Sequence, residues 1–158
     1  MTPLHSYLAM DASVGRLVLE STDDVLTGIW LPNNLRVVPE GDAASPPVLL
    51  EARAQLEQYF AGERTAFDLP MDLMGTPFQR DVWAELCRIP YGEAISYGEL
   101  ARRVGRPTGP RAVGQANGRN PIPIVVPCHR VVAGNGIGGY GGGVPCKQAL
   151  LELEGVVA

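Results

Sequence analysis

The run IVVPCHRVV, residues 124–132, demands burial and blocks the simplest way of achieving it. Its β-branched residues favour a core strand. Pro127, however, has no N–H to give to a central ladder. The chain must therefore bury a thiol, an imidazole and a guanidinium at a break in its backbone. A thiol in apolar surroundings is inert. To act as a nucleophile, Cys128 needs a base within reach, and that base needs an orienting partner. His129 is adjacent, although on an extended strand neighbours face opposite ways. The distortion at Pro127, or a bridging water, would complete the contact. The orienting partner would be a carboxylate. Glu154 sits in the last turn of the final predicted helix, where the helix dipole disfavours a negative charge by about 0.3–1 kcal/mol. Glu152 is equally close to that end, and the dipole argument does not choose between them.

Three cysteines (Cys87, Cys128, Cys146), two histidines (His5, His129) and no CxxC pair give no ligand set for a structural zinc. No metal and no cofactor is expected. No apolar run reaches the roughly 20 residues of a membrane span. The start MTPLHSYLAMDAS lacks the basic and apolar blocks of a secretion signal. These features predict a cytoplasmic protein with reduced thiols. The overall charge of −4 conceals an asymmetry. Residues 1–72 carry a net −7, residues 73–158 a net +3, and the segment 97–130 holds six arginines against Glu99 alone. The second half is thus suited to meet phosphates.

The pattern predicts an α/β (α+β) chain of two domains, 1–72 and 73–158. SYLAM, RLVLE and VLTGIWL read as short antiparallel strands. After a polar loop at 31–47, Leu49, Ala52, Leu56 and Tyr59 share one helical face, with Gly62 as the stop. No chemistry is expected of this first domain. In the second, Thr76 caps a helix opened by Pro77. Ser96 and Glu99 form an S-x-x-E capping box for another, which Gly105 ends. A third runs from Pro110 to Gly118, with Ala112, Val113 and Ala116 as its filling. The last two read as a helix-turn-helix whose small side chains suit close approach to a groove wall. GNGIGGYGGG, 134–143, has seven glycines and reads as a lid whose backbone approaches a ligand. PCKQALLELEG is a final helix.

Pro127-Cys128-His129-Arg130 follows Asn120-Pro121-Ile122-Pro123 and precedes Tyr140-Gly141-Gly142-Gly143. With Ile89-Pro90-Tyr91-Gly92, Ser96-Tyr97-Gly98, Arg111-Ala112-Val113-Gly114 and Lys147 through Glu154, this order resembles the O6-alkylguanine-DNA alkyltransferases across the whole second domain. The resemblance implies a ribonuclease H-like first domain and a winged-helix-like second one. It implies a suicide repair protein that moves an alkyl group from O6-alkylguanine, with O4-alkylthymine left open, onto Cys128 as a thioether. It places His129 and Glu154 in the base relay, which decides against Glu152. Asn120 would brace the site. Tyr97 would turn the nucleotide and donate to the leaving guanine, and Lys147, the chain's only lysine, would support the site loop. The resemblance implies that Arg111 fills the space left by a base rotated out through the minor groove, with Tyr97, Gly98, Ala112 and Ala116 also on the DNA. Pro123, Val131, Tyr140 and Gly141 would line the substrate pocket. Gly141 stands where many relatives have serine, so tolerance of bulky alkyl groups should differ. The implied partner is duplex DNA bearing the lesion, met by a monomer, with cooperativity on DNA left open. Three other readings compete: a lesion sensor on the same scaffold, which would lack the cysteine; a papain-like hydrolase; and an unrelated helix-turn-helix regulator.

Overall fold

A computed structural model describes residues 3–35, 45–106 and 109–156. Most of the expected 31–47 loop and the tip of the turn at 107–108 lie outside them. The architecture is mixed α/β. Strands β1 (His5–Ala12), β2 (Gly15–Thr22) and β3 (Val25–Trp30) form an antiparallel meander. Two-residue turns join them, and at the second Asp23 takes the left-handed conformation, φ 51°, that such turns require. Helix α1 (Pro47–Phe60) lays Leu49, Ala52, Leu56 and Tyr59 against Leu17, Leu19 and Leu26. The outer edge of β3 is closed by other backbone. Leu26 N–H donates to Pro70 at 2.8 Å, and Ile29 N–H donates to Pro121 at 3.0 Å. The second of these bonds fixes the first half of the chain to the turn that precedes Cys128.

Helix α2 (Pro77–Leu86) begins with a full capping box. Thr76 Oγ1 accepts from Gln79 N–H and Gln79 Oε1 accepts from Thr76 N–H. A two-residue strand β4 (Ile95–Ser96) leads into α3 (Tyr97–Arg103), which packs on α4 (Pro110–Gly118). Trp83 Nε1 donates to Ala116 O at 2.8 Å and ties α4 to α2. Here two expectations are corrected. Ser96 Oγ does accept from Glu99 N–H, but the Glu99 carboxylate does not return to the cap. It pairs with Arg102 at 2.6 Å and Arg103 at 2.9 Å, because two guanidinium groups one turn away outcompete one backbone amide. Ala112 fills no core either; it is exposed, whereas Val113, Ala116 and Asn117 are buried.

The predicted buried strand at 124–126 is also absent. Proline at 123 and 127 and the Asn120 side chain hold this segment as a closed turn. Asn120 Nδ2 donates to Val126 O at 2.7 Å, Asn120 Oδ1 accepts from Ile122 N–H at 3.0 Å, and Val126 N–H donates to Ile122 O at 2.9 Å. Ile124 pays for the closure with φ 75°, a conformation that costs a β-branched residue about 1–3 kcal/mol and that collects at functional sites. Cys128–Arg130 then form a single 3-10 turn, followed by β5 (Val131–Val132), which pairs in parallel with β4. The chain ends in α5 (Val144–Leu153). One hydrophobic cluster runs from Met10 through α1, α2 and α4 to Leu150, continuous across the expected domain boundary.

Candidate active site

The 3-10 turn solves the problem posed by Cys128 and His129. In a strand the two side chains would diverge by 180°; in a tight turn both are carried inward. Cys128 is 6% exposed and lines a cleft of about 630 Å³. His129 is fully buried behind it. Asn117 Nδ2 donates to Cys128 O at 3.3 Å, holding the turn from α4.

Behind the cysteine lies a buried polar cluster centred on Glu154, which caps the C-terminus of α5. Glu154 Oε2 accepts from His129 Nε2 at 2.7 Å, from Arg130 Nη2 at 3.1 Å and from Tyr59 Oη at 2.5 Å. Its Oε1 accepts from Arg130 Nε at 2.7 Å. Burial opposes the charge of this carboxylate, but the hydrogen bonds from His129, Arg130 and the Tyr59 hydroxyl outweigh it and hold its pKa down at about 2. An ionised carboxylate only accepts, so His129 carries its proton on Nε2. That leaves Nδ1 as the free lone pair, and it is buried with no protein partner. Burial lowers the imidazole's pKa; Glu154 counteracts this in part. The result is a neutral base whose proton-accepting nitrogen is unspent.

Burial raises the Cys128 thiol, whereas the neighbouring Asn120 and Tyr140 side chains and the Lys147 cation favour the thiolate. Tyr140 Oη is itself buried, and its side-chain neighbour is the Cys128 thiol, with burial first and then Cys128 holding the phenol protonated. Lys147 is fully buried, with its pKa lowered by burial to about 8. Its Nζ donates to Val131 O at 2.6 Å and Gly139 O at 3.1 Å, which joins the site turn to the glycine-rich segment. Tyr97 faces the cleft, its acidity reduced by burial first and then by Cys128. The same cleft is lined by Asn120, Pro123, Tyr140 and Gly141. Val131 is not on its wall; the side chain is fully buried and only its carbonyl serves the site, through Lys147. Gly98, Arg111 and Ala112 are exposed on α3 and α4, away from the cleft. Ala112 and Ala116 instead border a shallower groove between α2 and α4.

The first half of the chain takes part, contrary to expectation. Ile29, Trp30 and Leu31 form one wall of the cleft. Asn33 Nδ2 and Asn34 Nδ2 donate to Gly141 O at 2.9 and 3.3 Å. A Cβ on Gly142 would lie 2.4 Å from Leu31 Cδ1, so glycine there permits the close approach of the lid to this wall. Tyr59 and Asn117 are the side chains at this site to which the sequence assigns no role there. The buried guanidinium of Arg130 is visible in the apolar run, and because a buried guanidinium must be paired, it calls for the carboxylate that Glu154 supplies.

The cluster also sets the acid stability. The Glu154 pKa is depressed from 4.5 to about 2, so its stabilising contribution is present above 4.5 and lost as pH falls toward 2. The His129 pKa is lowered below 6.5, so the unfolded chain takes up its proton first and stability declines with acidification from about 6.5 downward. Thermal unfolding between pH 7 and 3 should show both declines, and Glu154→Gln should shrink the lower one, leaving the part that Glu99 contributes through its bonds from Arg102 and Arg103.

Two family models match the chain in tandem. One, described as "6-O-methylguanine DNA methyltransferase, ribonuclease-like domain", covers residues 6–73. The other, described as "6-O-methylguanine DNA methyltransferase, DNA binding domain", covers residues 77–156. The chain is 49% identical over 156 residues to a methylated-DNA--protein-cysteine methyltransferase of Mycolicibacterium paratuberculosis, covering 94% of this chain and 91% of that one. It is 42% identical over 158 residues to a constitutive protein of the same name from Bacillus subtilis, covering 96% of each. In structure it is similar to Mycobacterium tuberculosis OGT solved in complex with DNA, with a TM-score of 0.82, 47% identity, and 94% and 92% of the two chains covered.

Proposed function

Because the chain belongs to the 6-O-methylguanine DNA methyltransferase family, we propose that Cys128 is the residue that receives the alkyl group. The activity is that of the family: DNA repair by methyl transfer from methylated DNA to a cysteine of the protein. The observation that carries the assignment is the joint placement of Cys128 on the cleft wall and the His129–Glu154 pair immediately behind it. Neither Cys87, exposed on the surface, nor Cys146 has an imidazole or a carboxylate beside it among the described residues.

The reaction is a displacement at the alkyl carbon. His129 Nδ1 takes the thiol proton, through one water where the two do not touch, and Glu154 stabilises the imidazolium that results. The sulfur lone pair forms the C–S bond as the C–O6 bond breaks, and the bonding pair departs with guanine. Tyr97, protonated in its buried setting, donates to the leaving base, and Lys147 offsets the charge on sulfur. The product is a thioether that no cellular thiol reduces, so each molecule acts once. Asn120 keeps the turn closed while charge passes through it.

The cleft is too deep for a base that remains stacked in a duplex, so the nucleotide is rotated out. Helix α4 presents exposed Arg111 and Ala112 to the DNA, with Gly98 beside them on α3. Arg102 and Arg103 are committed to Glu99 and are weak candidates for phosphate contact. The partner is thus duplex DNA containing O6-alkylguanine, engaged by a monomer in the cytoplasm. No helix among the described residues is long and apolar enough to cross a membrane.

A duplex oligonucleotide carrying O6-methylguanine should add one methyl to the intact protein, mapped by peptide mass spectrometry to Cys128. Product should stop at one equivalent. Transfer that persists in Cys128→Ala, or turnover beyond one equivalent, refutes the assignment.

A further inference from the structure

Glu154 Oε2 is shared. The same oxygen that holds the His129 N–H at 2.7 Å also accepts the Tyr59 hydroxyl at 2.5 Å. Tyr59 comes from α1, 95 positions earlier in the chain, and is fully buried. Its ring is wedged against Phe60, Phe67 and Tyr91 at centroid distances of 5.2, 5.4 and 6.2 Å, so the hydroxyl cannot swing away. We propose that Tyr59 is a positioning residue of the proton relay, holding Glu154 for His129 and limiting the basicity of the imidazole by sharing its carboxylate oxygen. This rests on the proposed role of His129 as the base.

The direction follows from hydrogen-bond competition. Each donor to Oε2 withdraws negative charge from the lone pairs that stabilise a proton on His129. Burial and the adjacent carboxylate push the Tyr59 phenol far above its usual range, so it remains a donor at every working pH. Arg130 withdraws charge from the same carboxylate, through Nη2 on Oε2 and Nε on Oε1. The other groups facing the cluster are Tyr91, which meets Tyr59 edge-on and lies under Arg130, Cys87 on the Arg130 side, and Lys147, Cys128 and Tyr140 on the cleft side. None of these is hydrogen-bonded to Glu154 among the described residues, so removing the phenol hydroxyl changes one donor and no charge. Without it, the carboxylate recovers electron density and the imidazolium becomes easier to form.

The test is the titration of His129 by imidazole ¹⁵N NMR in the full chain. His5, exposed on β1 and one of only two histidines, serves as the reference. Tyr59→Phe, which keeps the ring and its packing, should raise the His129 midpoint by roughly half to one pH unit and leave His5 in place. Site-specific 3-fluorotyrosine at position 59, a stronger donor of nearly the same shape, should lower it. The acid limb of the transfer rate to free O6-benzylguanine should move in the same directions. If Tyr59→Phe does not fold, the fluorotyrosine chain decides alone. A His129 titration and rate profile that superimpose on wild type, whatever the change in melting temperature, overturn the proposal. Failure of the wild-type chain to methylate at Cys128 would sink the proposed function instead and leave the NMR result standing.

Discussion

Glu154→Ala is expected to lower the alkyl-transfer rate by about 100-fold or more and to destabilise the fold by about 3–5 kcal/mol. The two losses have different origins. Four donor groups converge on this carboxylate: His129 Nε2, Tyr59 Oη, and Arg130 through both Nε and Nη2. Deleting it leaves Arg130 as a buried cation with the Ile89 carbonyl, 2.6 Å from Nη1, and the face of Tyr91 to answer it but no anion among the described residues, and an uncompensated buried charge is the costly case. The rate falls because nothing remains to favour the imidazolium that must form when Cys128 gives up its proton. Glu154→Gln separates the two effects. The amide keeps the volume and one acceptor oxygen, so more of the fold survives, whereas the negative charge is gone. Urea unfolding beside single-turnover transfer should show Glu154→Gln recovering stability much more than rate. Wild-type rates in Glu154→Gln would remove the carboxylate from the chemistry.

The degree to which this cluster could be read from sequence differs residue by residue. Cys128 and His129 announce themselves because a thiol and an imidazole in a β-branched run have no structural reason to be there. Glu154 could not be separated from Glu152 by the helix dipole, since both lie in the final turn. The distinction is one of azimuth: Glu154 points into the core at 4% exposure, whereas Glu152 is exposed and accepts from Gln148 at 3.1 Å. Tyr59 was legible as a core residue on the apolar face of α1, and it is one. Its hydroxyl partner, however, lies 95 residues away, and no local pattern encodes a contact of that range. The local conformation at 124–126 was misread for the opposite reason. Strand propensity in Ile124, Val125 and Val126 is weaker than the combined constraint of Pro123, Pro127 and the Asn120 clamp, so tertiary and turn chemistry override it. The antiparallel meander, the α1 face and the presence of the helix pair α3–α4 are legible because their hydrophobic periods and turn residues agree with the final packing, although Glu99 and Ala112 take other places than expected.

Arg111→Ala is expected to reduce repair in duplex DNA by roughly 10- to 100-fold, in keeping with the few kcal/mol needed to extrude a base. Its reaction with free O6-benzylguanine should stay within about twofold. The asymmetry follows from location. Arg111 is exposed near the N-terminus of α4 and is absent from the cleft that holds Cys128. It can therefore assist the movement of a nucleotide out of the stack but not the chemistry on a base already delivered. A free base bypasses the stack. The competing role, a simple phosphate contact, is a matter of charge, and deleting it reduces the salt dependence of DNA binding by about one unit of log–log slope. An arginine inserted into the stack carries the same charge into the duplex, so the slope does not separate the two roles. Volume does: Arg111→Leu can fill the space left by the base but contacts no phosphate. Single-turnover rates of both variants on both substrates distinguish the cases. Loss in duplex that Arg111→Leu largely recovers supports the extrusion role, loss equal in Arg111→Ala and Arg111→Leu supports phosphate contact, and equal loss on both substrates means that Arg111 acts on the cleft itself from a distance.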